Sequence, residues 1–204
     1  MNEEDKKIDK PRSREGEKFI EAPADGPYQF DDQDSPQEVI ALPNGEVTVR
    51  STIDELVDAM AACIFTDASM SVSQFDTFQL ALSDADLLYP LYERLMYDPN
   101  VRGLPWQSTH LWRVDKNLGN AVQDTIIDHA DIPVEQVHNS LPIQGKDEPA
   151  PRIDCLVVDN NSIVPKGLQI QKIVMIATSV EACESFAKTN SGFTIRGFVF
   201  QENQ

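Results

Sequence analysis

Residues Phe78 to Leu95 read F-Q-L-A-L-S-D-A-D-L-L-Y-P-L-Y-E-R-L, and this stretch decides the fold. Its first six residues carry no charge, the texture of a strand buried on both faces of a parallel sheet. Leu88, Leu91, Tyr92 and Leu95 then recur at helical spacing, so the strand runs straight into a helix. In α/β proteins such a junction is where amides at a helix N-terminus hold a ligand, very often a phosphate. A phosphate favours glycine and positive potential at that place, whereas this chain supplies Asp84 and Asp86.

On the N-terminal side, Pro43-Asn44-Gly45 reads as a hairpin turn between Val39–Leu42 and Glu46–Val49. Thr52 with Glu55 makes a capping box, and Ile53, Leu56, Val57, Met60 and Ile64 continue it as a helix. On the C-terminal side, Ser108–Val114 is the next strand and Asn120–Ala130 the next helix, with Val122, Ile126 and Ile127 inward. Ile153–Val158 and Lys172–Thr178 follow as buried strands. Ser179 caps a helix that runs to Lys188, and Thr194–Gln201 is a last strand. This rhythm predicts an α/β domain over 38–204: three layers, doubly wound, with a mostly parallel sheet. Residues 1–37 are rich in charge, Pro and Gly, and predict a disordered acidic tail. Within it, Phe19-Ile20 or Tyr28-Gln29-Phe30 could dock on a protein partner.

The 204 residues carry a formal charge of −17, which argues against nucleic acid and an anionic membrane surface as partners. The apolar share is 41%, and the chain has no run of eighteen or more apolar residues. The N-terminus M-N-E-E-D-K-K-I-D-K lacks the apolar region of a secretory signal. Cys63, Cys155 and Cys183 lie far apart, without C-x-x-C spacing, and read as buried free thiols. The expectation is a cytoplasmic protein without cofactor. The sequence contains no G-x-G-x-x-G or G-K-[ST] phosphate loop.

Four segments, in order, resemble the 6-phosphogluconolactonase / glucosamine-6-phosphate isomerase family. Ala81-Leu82-Ser83 with Leu91 and Tyr92 is similar to the family's A-L-S-G-G-S-T-P-x-x-L-Y. Trp106 and the run His110–Asp115 resemble its W-x-x-v-x-f-x-x-D-E-R strand, and Ile132–His138 its i-P-x-e-q-v-h segment. Pro151–Leu156 is similar to the strand that leads into its D-G-H motif. The resemblance runs from about Val47 to Val158 and implies the family's fold and a link to carbohydrate (pentose phosphate) metabolism. It implies a ligand pocket of Ser83, Asp84, Ala85, Asp86, Leu87, Asp115, Lys116 and Asn117, fitted to a sugar or sugar phosphate.

The departures fall on the chemistry. Asp84, Ala85, Asp86 and Leu87 stand where the family's G-G-S-T cradles the phosphate, and Asp115-Lys116-Asn117 where D-E-R stands. Beyond Val158 the chain reads D-N-N-S-I-V-P-K, without the D-G-H histidine expected as general base. A carboxylate ~5 Å from a phosphate repels it by roughly 3 kcal/mol per pair of unit charges at an effective dielectric near 20. The expectation is a degenerate member that no longer hydrolyses 6-phosphogluconolactone and acts through binding. The alternative is an active hydrolase or isomerase on a sugar or sugar-lactone derivative that uses the rim of Asp84, Asp86 and Asp115, with Asp84 and Asp115 as catalytic candidates.

The individual candidates have plainer readings too. Asp84 and Asp86 suit N-caps; with Asp115 they could instead form an oxygen-ligand site for Mg²⁺ or Ca²⁺. His129 suits a helix C-terminus, and His138 matches a structural histidine of the family. Trp106, Trp112 and Tyr92 are either a sugar-stacking wall or core packing.

Overall fold

The hairpin opens the described structure: β1 (Glu38–Leu42) pairs antiparallel with β2 (Gly45–Arg50). The structure, a computed structural model, describes residues 38–99, 101, 103–114, 120–142 and 149–201. The expected tail over 1–37 lies outside the described residues, and so do Asp115, Lys116 and Asn117. Gly45 begins β2 because its neighbour leaves no room. A Cβ there would sit 1.8 Å from the carbonyl oxygen of Ile195.

Helix α1 (Ile53–Phe75) starts on the expected cap, the Glu55 amide donating to Thr52 Oγ1 at 3.2 Å. The Glu55 side chain accepts from the Ser51 hydroxyl at 3.2 Å, which closes the capping arrangement one residue earlier than the usual box. The helix stops at Asp76, whose φ of 62° is left-handed and ends the helical hydrogen bonding. By length and mean hydropathy α1 could cross a membrane. Its stripe of Leu56, Val57, Met60, Ala61, Ile64 and Ala68 is buried in the core, which accounts for that apolar content. Each fully buried Leu or Ile of this stripe contributes ~1.5–3 kcal/mol.

Strand β3 (Phe78–Leu82) leads through the short turn Asp86–Leu88 into α2 (Tyr89–Tyr97), which buries Leu91, Tyr92 and Leu95. β4 (Thr109–Arg113) follows, then a short π-type turn at Gln123–Ile127 in place of a regular α-helix. The sequence reading lacked the edge strand β5 (Val137–His138), two residues long. β6 (Arg152–Asp159), β7 (Gln169–Ala177), α3 (Val180–Thr189) and β8 (Thr194–Phe200) complete the chain. Ser179 caps α3 as read, accepting from the Ala182 amide at 3.2 Å.

The eight strands form one sheet in the order β1-β2-β8-β7-β6-β3-β4-β5, parallel except for β1. One face packs against α1, α2 and the Gln123–Ile127 turn, the other against α3, which makes the three expected layers. Gly197 belongs to the second face, where a Cβ would meet Cys183 Sγ at 2.9 Å. The three cysteines are free, Cys155 and Cys183 buried and Cys63 half-buried. Burial raises all three thiol pKa values, that of Cys183 to about 11, so these are packing residues.

Candidate functional site

The strand order fixes where a ligand crevice must lie. β3 and β6 are neighbours, but β3 leads to β4 on one side and β6 to β7 on the other. Their carboxyl ends therefore flank a topological switch point, where open α/β sheets bind ligands. Ser83, Asp84 and Ala85 leave β3 at that point, and the Ser83 amide still donates to Val157 O of β6 at 3.0 Å. These are three of the residues that the sequence reading assigned to the ligand pocket.

The side chains there differ from the capping picture. Asp84 is fully buried and caps neither the Asp86–Leu88 turn nor α2; Ala85 holds the cap position, with no side-chain cap bond. Instead Asp84 Oδ2 accepts from Arg113 Nη2 at 2.8 Å and from Nε at 3.1 Å. Its Oδ1 accepts from the Val122 amide at 2.9 Å, at the start of the turn Gln123–Ile127. Asp84 therefore stabilises a helix start, but one 38 residues away in sequence. Its charge faces a guanidinium and an amide, so the repulsion expected of a bare carboxylate at the pocket mouth does not apply to it.

Asp86 and Leu87 are exposed, while Ser83 and Ala85 are buried. Ala85 has φ −67° and ψ 133°, so Ala is accepted here without strain. Tyr92 is buried and its hydroxyl donates to Ser83 O, fixing the strand exit. Across the crevice, Asp159 Oδ1 accepts from the Asn161 amide at 3.2 Å and from Ser162 Oγ at 2.6 Å. This polar turn stands where the resemblance expects the D-G-H histidine. A cavity of about 600 Å³ lies between it and α3, lined by Asn160, Ser162, Lys166, Ser185 and Phe186 among others.

The proposed aromatic wall does not assemble. Tyr92 and Trp106 pack into the core on the α1 face, whereas Trp112 packs on the other face and donates to Gln79 Oε1 at 2.9 Å. Trp112 also stacks on His138 at 3.7 Å between centroids, and His110 Nδ1 lies 3.1 Å from His138 Nε2. Burial, with a smaller part from His110, lowers the His138 pKa. His129 follows the turn Gln123–Ile127 and contacts the Tyr97 ring. Among the described residues no three His, Cys, Asp or Glu side chains come together as metal ligands; Asp115 is outside them.

The polar pair Asp84–Arg113 sits at the switch point of the sheet in a doubly wound, three-layer α/β protein. In three dimensions the chain has the fold of the 6-phosphogluconolactonases. It aligns with the 6-phosphogluconolactonase from Trypanosoma cruzi at a TM-score of 0.56 and 11% identity, over 80% of this chain and 97% of that one. With that from Shewanella baltica the TM-score is 0.53 at 10% identity, over 80% and 98%. The Trypanosoma brucei protein gives 0.55 and 14%, over 76% and 96%. In sequence the chain is 30% identical over 94 residues to the GDH/6PGL endoplasmic bifunctional protein of Oryctolagus cuniculus. That match covers 42% of this chain and 12% of the longer protein. No family model matches the chain.

Proposed function

We propose that this chain is a 6-phosphogluconolactonase-like protein without lactonase activity, which acts by binding in carbohydrate (pentose phosphate) metabolism. The observation that carries the reading is the seat of Asp84. A bound phosphate needs a guanidinium and helix-start amides; at this rim one of each is already taken by a buried carboxylate of the chain itself. The turn Asp159–Ser162 adds to it, since it offers no imidazole to activate water. Loss of a general base removes ~10²–10⁴ in rate. The test is hydrolysis of 6-phosphogluconolactone, coupled to oxidation of the product and read above the spontaneous rate. No acceleration is expected, and clear turnover overturns the reading.

Asp86 supports a second reading, because it stays exposed on the same rim. A hydrolase or isomerase acting on an uncharged sugar lactone would use it as acid or base. Turnover of such a lactone that Asp86→Ala abolishes would favour this second reading over the first.

A further inference from the structure

The outer side of α2 carries a stripe that folding leaves uncovered. Tyr89, Glu93 and Tyr97 recur every four residues and so share one helix face. Tyr89 is 43% and Tyr97 56% exposed, and Leu87, just before the helix, is 41% exposed. Aromatic side chains of this kind are enriched at protein interfaces. Beside the stripe, α2 and the first turn of α1 enclose a groove of about 450 Å³. Val57, Pro90 and Pro99 give it apolar walls, Asp54, Glu93 and Asp98 line it with carboxylates, and Tyr97 adds its ring.

Arg94 is the groove's cation, and it is shared among Asp54 at 3.2 Å, Asp98 at 3.2 Å and Asp58. The Asp58 carboxyl pKa is raised, by burial first; Arg94 pulls it back, and Asp98, Asp54 and Glu55 push it up again. The Glu93 carboxylate raises the Tyr89 hydroxyl pKa by its charge, and among the described residues Glu93 forms no ion pair.

Charge complementarity selects the occupant. Carboxylates beside an aromatic ring and proline walls suit a lysine or arginine, whose aliphatic stem packs while its head meets the acids. A second copy of this chain would bring another charge of −17 to an acidic face. We propose that α2 and the start of α1 dock a basic segment of a partner protein, with an arginine or lysine side chain in the groove against Tyr97 and Glu93. This rests on the binding role argued above.

The test is fluorescence anisotropy of the full chain with a labelled peptide of about twelve residues alternating arginine and leucine, at physiological salt, where exposed charges beyond ~8 Å are screened. Saturable binding is expected, and a glutamate–leucine peptide should not bind. Tyr97→Ala should weaken binding about three- to fivefold without changing the net charge. Glu93→Lys should weaken it about tenfold, while Glu184→Lys on α3, the same change of charge on the opposite layer, should leave it unaltered. Equal weakening by Glu93→Lys and Glu184→Lys would reduce the effect to general attraction and overturn the site. No binding of the basic peptide would overturn it as well. So would a dimer in size-exclusion chromatography that Tyr97→Ala dissolves, since the occupant would then be a second copy. Lactone hydrolysis on the same preparation separates the two ideas: turnover removes the non-catalytic reading, whereas background hydrolysis with no peptide binding removes the groove alone.

Discussion

Of the aspartate–arginine arrangements among the described residues, those at Asp84 and at Arg94 share chemistry and differ in burial. At the carboxyl end of β3, Asp84 has no exposure and Arg113 has 12%, and the carboxylate is matched by a guanidinium and an amide. On the α1–α2 flank, Arg94 is shared by Asp54, Asp58 and Asp98, whose side chains are 88%, 50% and 17% exposed. Water tolerates the crowding of carboxylates on the flank, because exposed charges are solvated and screened. The crevice has no such help, so its charges must be paired within the protein or not be there. The buried aspartate is thus matched inside the protein, while the flank carries three carboxylates around one guanidinium.

Removing one partner from the buried pair should give the largest effect. Asp84→Ala leaves Arg113 without its buried carboxylate and the Val122 amide without an acceptor. The expected loss is about 3–5 kcal/mol in urea unfolding, enough to threaten folding at 37 °C. Asp54→Ala on the flank should change the same measurement by no more than about 1 kcal/mol. The double variant Asp84→Leu with Arg113→Met keeps the site folded for measurement and should recover much of the loss. A cost of Asp84→Ala as small as that of Asp54→Ala would break the comparison. The next effect is smaller: Tyr92→Phe removes the buried hydroxyl that holds Ser83 O and should cost about 1 kcal/mol, with the sheet intact by circular dichroism.

These two residues also mark what the sequence made legible. The strand-to-helix reading of Phe78–Leu95 held because apolar spacing and lack of charge report burial directly, and the capped starts at Thr52 and Ser179 held because capping is local. Capping by Asp84 did not hold, since its partners Arg113 and Val122 lie 29 and 38 residues on. Local pattern cannot say which distant donor a carboxylate will meet. β5 was missed because two residues carry no period, although His138 in stacking contact with Trp112 ties that edge to β4. The regular helix expected at Asn120–Ala130 became a π-type turn, with the Asp128 amide reaching back to Gln123 O. That segment begins on the carboxylate of Asp84, a tertiary anchor that helical periodicity does not encode.

The smallest expected effect sharpens the flank side of the comparison. Asp58 has its carboxyl pKa raised above the ordinary value of 3.8, chiefly by burial, against the pull of Arg94. A folded-state pKa above the unfolded one means the folded protein holds this proton more tightly. The associated stabilisation is complete below the unfolded pKa and is lost as pH rises from 3.8 through the raised folded value. Asp58→Asn, neutral at every pH, should lose that dependence: its unfolding free energy should fall less than the parent's as pH rises through this window. At pH 7 the two should agree to within roughly 0.5 kcal/mol, since the lost ion pair with Arg94 is half exposed and Asp54 and Asp98 remain beside the guanidinium. The measurement is urea unfolding of both proteins between pH 3.5 and pH 7. A steeper pH dependence in Asp58→Asn than in the parent would mean that attraction to Arg94, not burial, governs Asp58. The flank would then be a matched pair like the crevice, with little left over for a basic partner.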